Sequence, residues 1–111
     1  MITKPHRLHT YRFSSLYSQG KRHYFGGALL FFLPNNSPHS HIAYVVGKKY
    51  SPSAVKRNRQ RRVLYAALHT HLLNLAPGYD IVISYTNRGK VLPYREACAT
   101  LSALFSQAKL I

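Results

Sequence analysis

The sequence predicts a single-domain α/β sandwich, in which one sheet is covered by helices. Three observations support this class: 111 residues are enough for one domain with a core, 46% of them are hydrophobic, and apolar runs of strand length alternate with longer segments of helical periodicity. The predicted order of elements is helix, three strands, helix, strand and helix. We therefore treat residues 1–111 as one domain without an internal repeat or a linker.

The first predicted helix covers residues 8–20. Phe13, Leu16 and Tyr17 follow helical spacing along one face, and Gly20 is a typical residue to end a helix. The two aromatic side chains have two interpretations: they are core anchors, or they are part of a platform on which single-stranded bases stack. The pattern by itself favours the core.

Three strands are predicted next. Residues 21–25 are basic and aromatic and fit a short edge strand, whereas residues 28–33 form a continuous apolar run that fits a central strand. Residues 42–46 alternate between two faces, as expected of a strand. Because the second and third strands are close in sequence, we expect them to pair as an antiparallel hairpin.

The second half of the chain predicts a helix, a strand and a helix. Ser and Pro in residues 51–53 are start signals for a helix that continues to about residue 75. Residues 79–85 predict a strand, and the last helix follows Pro93. The two apolar stripes of these helices are Leu64, Ala67, Leu68 and Leu72 in the first, and Ala97, Leu101, Leu104, Phe105 and Ala108 in the second.

The charge balance is the most unusual property of the sequence. Lys and Arg number 16, Asp and Glu only 2, and the formal net charge is +14. A chain with this much charge of one sign repels itself, so a polyanionic partner stabilises it. Arginine pairs with phosphate through two parallel hydrogen bonds, which makes nucleic acid the first candidate partner. A membrane is the weaker candidate, because no apolar run approaches the roughly 20 residues of a membrane-spanning helix.

Positive charge is most concentrated in residues 56–62, where five of the seven side chains are Lys or Arg. We place them in the first turns of the predicted helix, where at about 100° per residue they cover more than half of its circumference. Such a face is too wide to be buried, because unpaired buried charges are costly. It is either a solvated face or a surface that binds a polyanion.

The sequence offers few groups for catalysis by the protein itself. Asp80 and Glu96 are its only carboxylates, so a two-metal nuclease site, which normally uses several, is not expected. His69 and His71 are two apart on a predicted helix and point to different sides, which makes them a poor ligand pair. The single Cys98 and the lack of an apolar N-terminal segment lead us to expect a reducing, cytoplasmic location.

The basic segment resembles the RNR signature of the protein subunit of bacterial ribonuclease P. The signature occupies residues 57–62 and is preceded by residues 46–49, which contain a Lys pair. The N-terminal helix and the order of the apolar strands resemble the same family, so the resemblance covers essentially the whole chain. Three positions depart from the family pattern: Gln60 stands where an apolar residue is common, Gly47 where a Ser is common, and Tyr17 where Phe is commoner. Residues 86–88 diverge from the family as well.

The resemblance implies a fold and a function. The fold is a two-layer α/β sandwich, ribosomal protein S5 domain 2-like, with the order αβββαβα and a left-handed crossover, against the usual right-handed preference. The chain would be the non-catalytic protein subunit of the ribonuclease P holoenzyme, a single RNA-binding domain that is monomeric within the ribonucleoprotein. It would assist RNA-catalysed removal of the 5′ leader from precursor tRNA. Mg²⁺ would be bound mainly by the ribonuclease P RNA, and none by the protein alone.

The resemblance also assigns residues to two surfaces, one for the catalytic RNA and one for the leader, which would lie in a cleft on the sheet. It implies no catalytic or metal-binding residue in the protein. The alternative is a ribosomal or other structural RNA-binding protein without a processing role, which composition does not distinguish. The expected contacts to the ribonuclease P RNA are Lys56, Arg57, Asn58, Arg59, Arg61 and Arg62, and those to the leader are Phe13, Tyr17, Phe31, Lys48 and Lys49.

Overall fold

We describe the fold from a computed structural model, which describes residues 13–71 and 74–111. These residues contain three helices and four strands in the predicted order. The start of the predicted first helix, residues 8–12, and Leu72 of the predicted stripe lie outside the described residues. The elements are α1 (Phe13–Gln19), β1 (Lys21–Phe25), β2 (Ala28–Pro34), β3 (His41–Val45), α2 (Ala54–Leu68), β4 (Tyr79–Tyr85) and α3 (Tyr94–Gln107).

The four strands form one sheet in the order β1-β2-β4-β3. β2 is antiparallel to both β1 and β4, whereas β3 is parallel to β4. The expected hairpin between β2 and β3 is therefore wrong, because β4 lies between them. α2 is the crossover that connects the parallel neighbours β3 and β4, and its left-handed sense stays a prediction.

The segment after β2 shows why the hairpin does not form. The backbone N–H of Asn35 donates to the carbonyl oxygen of Gly78 at 2.9 Å. The Ser40 hydroxyl donates to the carbonyl oxygen of Ala76 at 2.6 Å and accepts from the backbone N–H of Tyr79 at 3.1 Å. These bonds hold the segment across the start of β4, so the chain passes β4 before it enters β3.

The main core lies between one face of the sheet and the helices α2 and α3. The sheet is one layer of the expected sandwich, and these two helices are the other. Ile42 and Tyr44 lie in this core and Ala43 on the opposite face, which confirms the predicted alternation of β3.

α2 ends at Leu68, earlier than predicted, because the chain then closes into tight turns in which the N–H of His71 donates to the Leu68 carbonyl. None of the helices in the described ranges is long and apolar enough to cross a membrane. The predicted helix-stripe residues buried in this core are Leu64, Ala67, Leu68, Ala97, Leu101, Leu104 and Phe105.

α1 packs on the opposite face of the sheet. Leu16 is buried there against Phe31, Ala43 and Val82. The helix ends before Gly20, as predicted, and the Gly20 N–H donates to the Leu16 carbonyl oxygen at 2.9 Å. A Cβ atom at Gly20 would collide with that same oxygen, so a residue without a side chain is needed where α1 turns into β1.

Gln60 is a polar side chain within the main core, where it is only 2% exposed. Its Oε1 accepts hydrogen bonds from the Tyr50 hydroxyl at 3.1 Å and from the Leu92 N–H at 2.8 Å, and its Nε2 donates to the Leu92 carbonyl oxygen at 2.9 Å. The amide therefore joins α2 to the connection before it and to the segment before α3. These bonds explain how the chain accommodates a polar amide at a buried position.

Candidate nucleic-acid interface

The first turns of α2 have an unusual charge distribution. Of the predicted start signals in residues 51–53, Ser53 is the N-cap, and its hydroxyl oxygen accepts a hydrogen bond from the Lys56 N–H at 3.3 Å. The first turn holds no acidic residue, and the cationic side chains occupy the end of the helix where the peptide dipoles already place partial positive charge. Because this arrangement is unfavourable for the helix itself, it indicates a surface that binds an anion.

Two of the arginines in this segment also contact the protein backbone. Arg57 Nη1 donates to the carbonyl oxygens of Ser51 at 3.1 Å and Pro52 at 2.9 Å. Arg61 donates from Nη2 to the carbonyl oxygen of Val46 at 3.1 Å. Both side chains are half-buried, so they fix the start of α2 against the connection from β3.

The other cations of α2 are exposed. Lys56, Arg59 and Arg62 point to solvent, and so do Lys48 and Lys49 in the turn after β3. Asn58 is exposed as well, but its Oδ1 accepts a hydrogen bond of 2.7 Å from Arg61 Nη1. The predicted RNA-binding segment is therefore divided into residues that also hold the helix in place and residues whose charge faces outward.

The loop after β4 contributes two exposed cations that the sequence interpretation did not assign, Arg88 and Lys90. Because β3 and β4 are parallel neighbours, the segments that follow them leave the same end of the sheet, and the Gly89 N–H joins them by donating to the Tyr50 carbonyl at 3.0 Å. The signal in the sequence was a basic loop directly after a strand. We call the combined exposed surface the basic end; it consists of Lys48, Lys49, Lys56, Arg59, Arg62, Arg88 and Lys90.

The charge of the basic end is not neutralised by acidic side chains. Across residues 13–71 and 74–111, the ion pair that forms joins His41 to Asp80, and no Lys or Arg pairs with a carboxylate. Seven exposed like charges at one end of a small domain repel one another. A phosphate backbone would relieve this repulsion.

The three aromatic residues expected at the leader cleft lie together beside α1. The ring of Tyr17 is 4.9 Å from that of Phe31 and 6.2 Å from that of Phe13, edge-on in both cases. Phe31 is buried and Phe13 half-buried in the small core under α1, whereas Tyr17 is 46% exposed. A tyrosine hydroxyl is neutral at physiological pH and does not repel phosphate, and partial burial raises the pKa of the Tyr17 hydroxyl further. Phe13 and Phe31 thus serve as anchors, and Tyr17 offers the free ring surface.

β1 adds two further side chains to the same face of the sheet. Arg22 pairs with Phe31 and Tyr24 with Leu29, and residues paired in this way lie on one face. Arg22 is exposed, and Tyr24 is 64% exposed. The sequence interpretation did not assign either residue, since only the register with β2 shows which face of β1 lies beside α1. We call this group the aromatic face; it consists of Phe13, Tyr17, Arg22, Tyr24 and Phe31.

A row of residues joins the aromatic face to the basic end. Tyr24, Leu29, Ser84 and Val45 lie side by side across the four strands. Leu29, Ser84 and Val45 are only half-buried, whereas Phe31, in the next row, is buried. The row that contains Phe31 lies under α1. Two residues of a strand span about 7 Å, so the row that contains Tyr24 lies roughly 7 Å from the Phe31 row, in the direction of the basic end. The sheet thus offers one path from stacking side chains to cations.

The carboxylate of Asp80 is engaged within the protein and is not available to hold a metal ion at this surface. Asp80 is buried, and its Oδ1 accepts a hydrogen bond from Asn35 Nδ2 at 2.9 Å and lies 3.1 Å from His41 Nδ1. Glu96 stands in the first turn of α3. In the described part of the chain, no three His, Cys, Asp or Glu side chains come together as a metal site. The geometry of these residues suits the binding of a nucleic acid strand.

Comparison with known sequences identifies one family. The family model described as Ribonuclease P matches residues 2–109. The chain is 38% identical to the ribonuclease P protein component of Synechococcus sp. (strain JA-2-3B'a(2-13)), covering 100% of this chain and 87% of that protein. It is 34% identical to the ribonuclease P protein component of Synechocystis sp. (strain ATCC 27184 / PCC 6803 / Kazusa), covering 93% of this chain and 84% of that protein.

Two solved structures have the same fold. A Staphylococcus aureus RNase P protein mutant with defective mRNA degradation activity has a TM-score of 0.85 at 20% identity, covering 97% of this chain and 92% of that chain. The RNase P protein from Thermotoga maritima has a TM-score of 0.78 at 22% identity, covering 91% and 96% of the two chains. At these identities the structures establish the fold, and the sequence matches establish the family.

Proposed function

The chain belongs to the ribonuclease P protein family, and from this premise we propose that it assists a catalytic RNA in removing the 5′ leader of precursor tRNA. The single observation that carries the proposal is that the protein has two distinct surfaces, the basic end and the aromatic face, which one row of residues joins. The basic end is proposed to bind the ribonuclease P RNA. The aromatic face is proposed to bind the single-stranded leader.

The two surfaces suit different parts of an RNA substrate complex. Exposed Lys and Arg side chains contact phosphates without selecting a sequence, which fits a structured RNA. Exposed aromatic rings beside a cation fit unpaired bases, because every base has a face that stacks. Lys48 and Lys49, two members of the basic end, lie in the turn that follows the strand carrying Val45. We propose that they contact both the ribonuclease P RNA and a leader that crosses the row from Tyr24.

We further propose that the Mg²⁺ ions of the reaction are held mainly by the RNA. Mg²⁺ prefers oxygen ligands in octahedral geometry and is usually bound through carboxylates and substrate phosphates. Asp80 does not fit this role, because its carboxylate is buried and bonded to Asn35. The protein would contribute positive charge that lowers the repulsion between two RNA molecules.

We also propose that one copy acts within a cytoplasmic ribonucleoprotein, in keeping with the free Cys98 thiol.

Reconstitution tests the proposed function. The purified protein is mixed with a bacterial ribonuclease P RNA, and 5′ cleavage of precursor tRNA is measured at low Mg²⁺ concentration. We expect the protein to raise the cleavage rate above that of the RNA alone. Binding to the RNA without a gain in cleavage would favour the alternative of a structural RNA-binding protein. Cleavage by the protein alone would overturn the assignment of catalysis to the RNA.

Tyr24→Ala tests the proposed leader surface. Loss of one stacking ring is expected to reduce the affinity of the reconstituted holoenzyme for precursor tRNA by about tenfold, while affinity for mature tRNA is unchanged. Phe25→Ala is the matched control, because Phe25 is the next residue of β1, is 42% exposed and lies on the opposite face of the sheet. Equal losses in the two variants, measured by binding titration, would show that the leader does not follow the aromatic face.

A further inference from the structure

A pocket of about 200 Å³ opens between the first turns of α2 and the segment that leads into α3. Its apolar lining comes from Tyr50, Val63, Val91 and Leu92, and Pro93 also contributes. Val91 is 65% exposed, so the pocket has an accessible apolar wall. The volume is below the roughly 300–1,000 Å³ of pockets that take drug-sized ligands, which limits the occupant to one small planar or compact group.

The charges around the pocket favour one kind of occupant. Lys56 and Arg59 belong both to its lining and to the exposed basic end. They lie one turn apart on α2, so a phosphate that binds between them sits at the entrance to an apolar cavity. A phosphate joined through a sugar to a flat ring, whose faces stack on apolar surface, is the chemistry of a nucleotide.

The pocket also contains a fixed polar group. Gln60 lines it, and this side chain is held by its bonds to Tyr50 and Leu92. Both lone pairs of its Oε1 are engaged by donors, whereas the bond from Nε2 to the Leu92 carbonyl oxygen uses one of the two amide hydrogens. A rigid amide with a second hydrogen to donate can pair with a carbonyl oxygen or ring nitrogen of a base.

We propose that this pocket binds a single unpaired nucleobase of the RNA partner, with its phosphate held by Lys56 and Arg59. The inference rests on the proposed function, because it makes the basic end a site that recognises an extruded base in addition to the phosphate backbone. It adds apolar burial and one directional hydrogen bond to contacts that are otherwise purely electrostatic.

Nuclear magnetic resonance of the full-length, ¹⁵N-labelled protein tests the pocket without the RNA partner. The protein is titrated with adenosine and uridine 5′-monophosphates, and separately with ribose 5-phosphate. We expect the nucleotides to shift the Gln60 side-chain amide and the Leu92 backbone amide, and ribose 5-phosphate to leave both unchanged. The same response to ribose 5-phosphate as to the nucleotides would overturn the proposal, since it would reveal phosphate binding only.

Val91→Trp places a large ring in the pocket mouth and removes no charge. It is expected to abolish the nucleotide-specific shifts and to weaken binding of the ribonuclease P RNA by about tenfold, with the salt dependence unchanged. Ile111→Trp is the control, because Ile111 is 44% exposed and does not line the pocket. Unchanged RNA affinity in Val91→Trp would refute the pocket and leave the proposed function standing. Absence of RNA binding by the unaltered protein would instead refute the proposed function.

Discussion

Replacing Arg59 and Arg62 together by alanine is expected to weaken binding of the ribonuclease P RNA on the order of 100-fold. Both side chains are exposed on α2 and have no hydrogen bond within the described part of the protein, so their loss removes contacts to the RNA and leaves the helix intact. Each charge-assisted contact contributes about 1.5 kcal/mol, and two such contacts give this factor. The measurement is the dissociation constant at several salt concentrations.

The salt dependence gives this prediction a second readout. With about 0.7–0.9 counterions released per neutralised phosphate, the seven cations of the basic end predict a log–log slope of about −5 to −6, and the double variant reduces its size by about 1.4–1.8. Lys21→Ala with Lys109→Ala is the matched control. It removes the same charge from exposed positions, and Lys21 lies at the end of β1 away from the Gly26–Gly27 turn. Similar losses in both double variants would show that net charge alone drives binding.

Gln60→Ala is expected to lower the free energy of unfolding by about 2–4 kcal/mol. The substitution leaves the Tyr50 hydroxyl and both backbone groups of Leu92 without their partner in a buried environment, and each buried polar group left unpaired costs about 1–3 kcal/mol. Water that enters from the adjacent pocket offsets part of this cost. Thermal and denaturant unfolding of the free protein measure the change, which corresponds to a melting temperature lower by roughly 10–20 °C.

Two companion variants separate packing from hydrogen bonding at this position. Gln107→Ala, an exposed position at the end of α3, is expected to change stability by less than about 0.5 kcal/mol. Gln60→Leu keeps a side chain of similar volume but leaves the Leu92 groups unpaired, so it is expected to remain destabilising. Equal stability of Gln60→Leu and the unaltered protein would show that the side chain stabilises the fold by filling space and that its hydrogen bonds add no net stability.

The sequence by itself determined the elements and the nature of the partner. Alternation in β3, the apolar run of β2 and the stripe of α3 are local patterns, because side chains repeat every second residue in a strand and about every 3.6 residues in a helix. Ser53 marks the start of α2 because its hydroxyl accepts a hydrogen bond from a backbone N–H of the first turn. Gly20 follows the end of α1 because it has no side chain. The charge of +14 and the RNR signature pointed to RNA before any contact was known.

The tertiary structure alone decided which residues share a surface. The order β1-β2-β4-β3 depends on bonds between Asn35 or Ser40 and the start of β4, which are far apart in sequence and have no local pattern. That order brings Arg88 into the basic end, and the register of β1 places Tyr24 on the face of the sheet that carries α1. The tertiary structure also decided that Gln60 is buried, because its burial depends on the contact with Leu92. Periodicity reports which side of an element is apolar, whereas pairing partners are fixed by long-range packing, and the candidate site is built from those pairings.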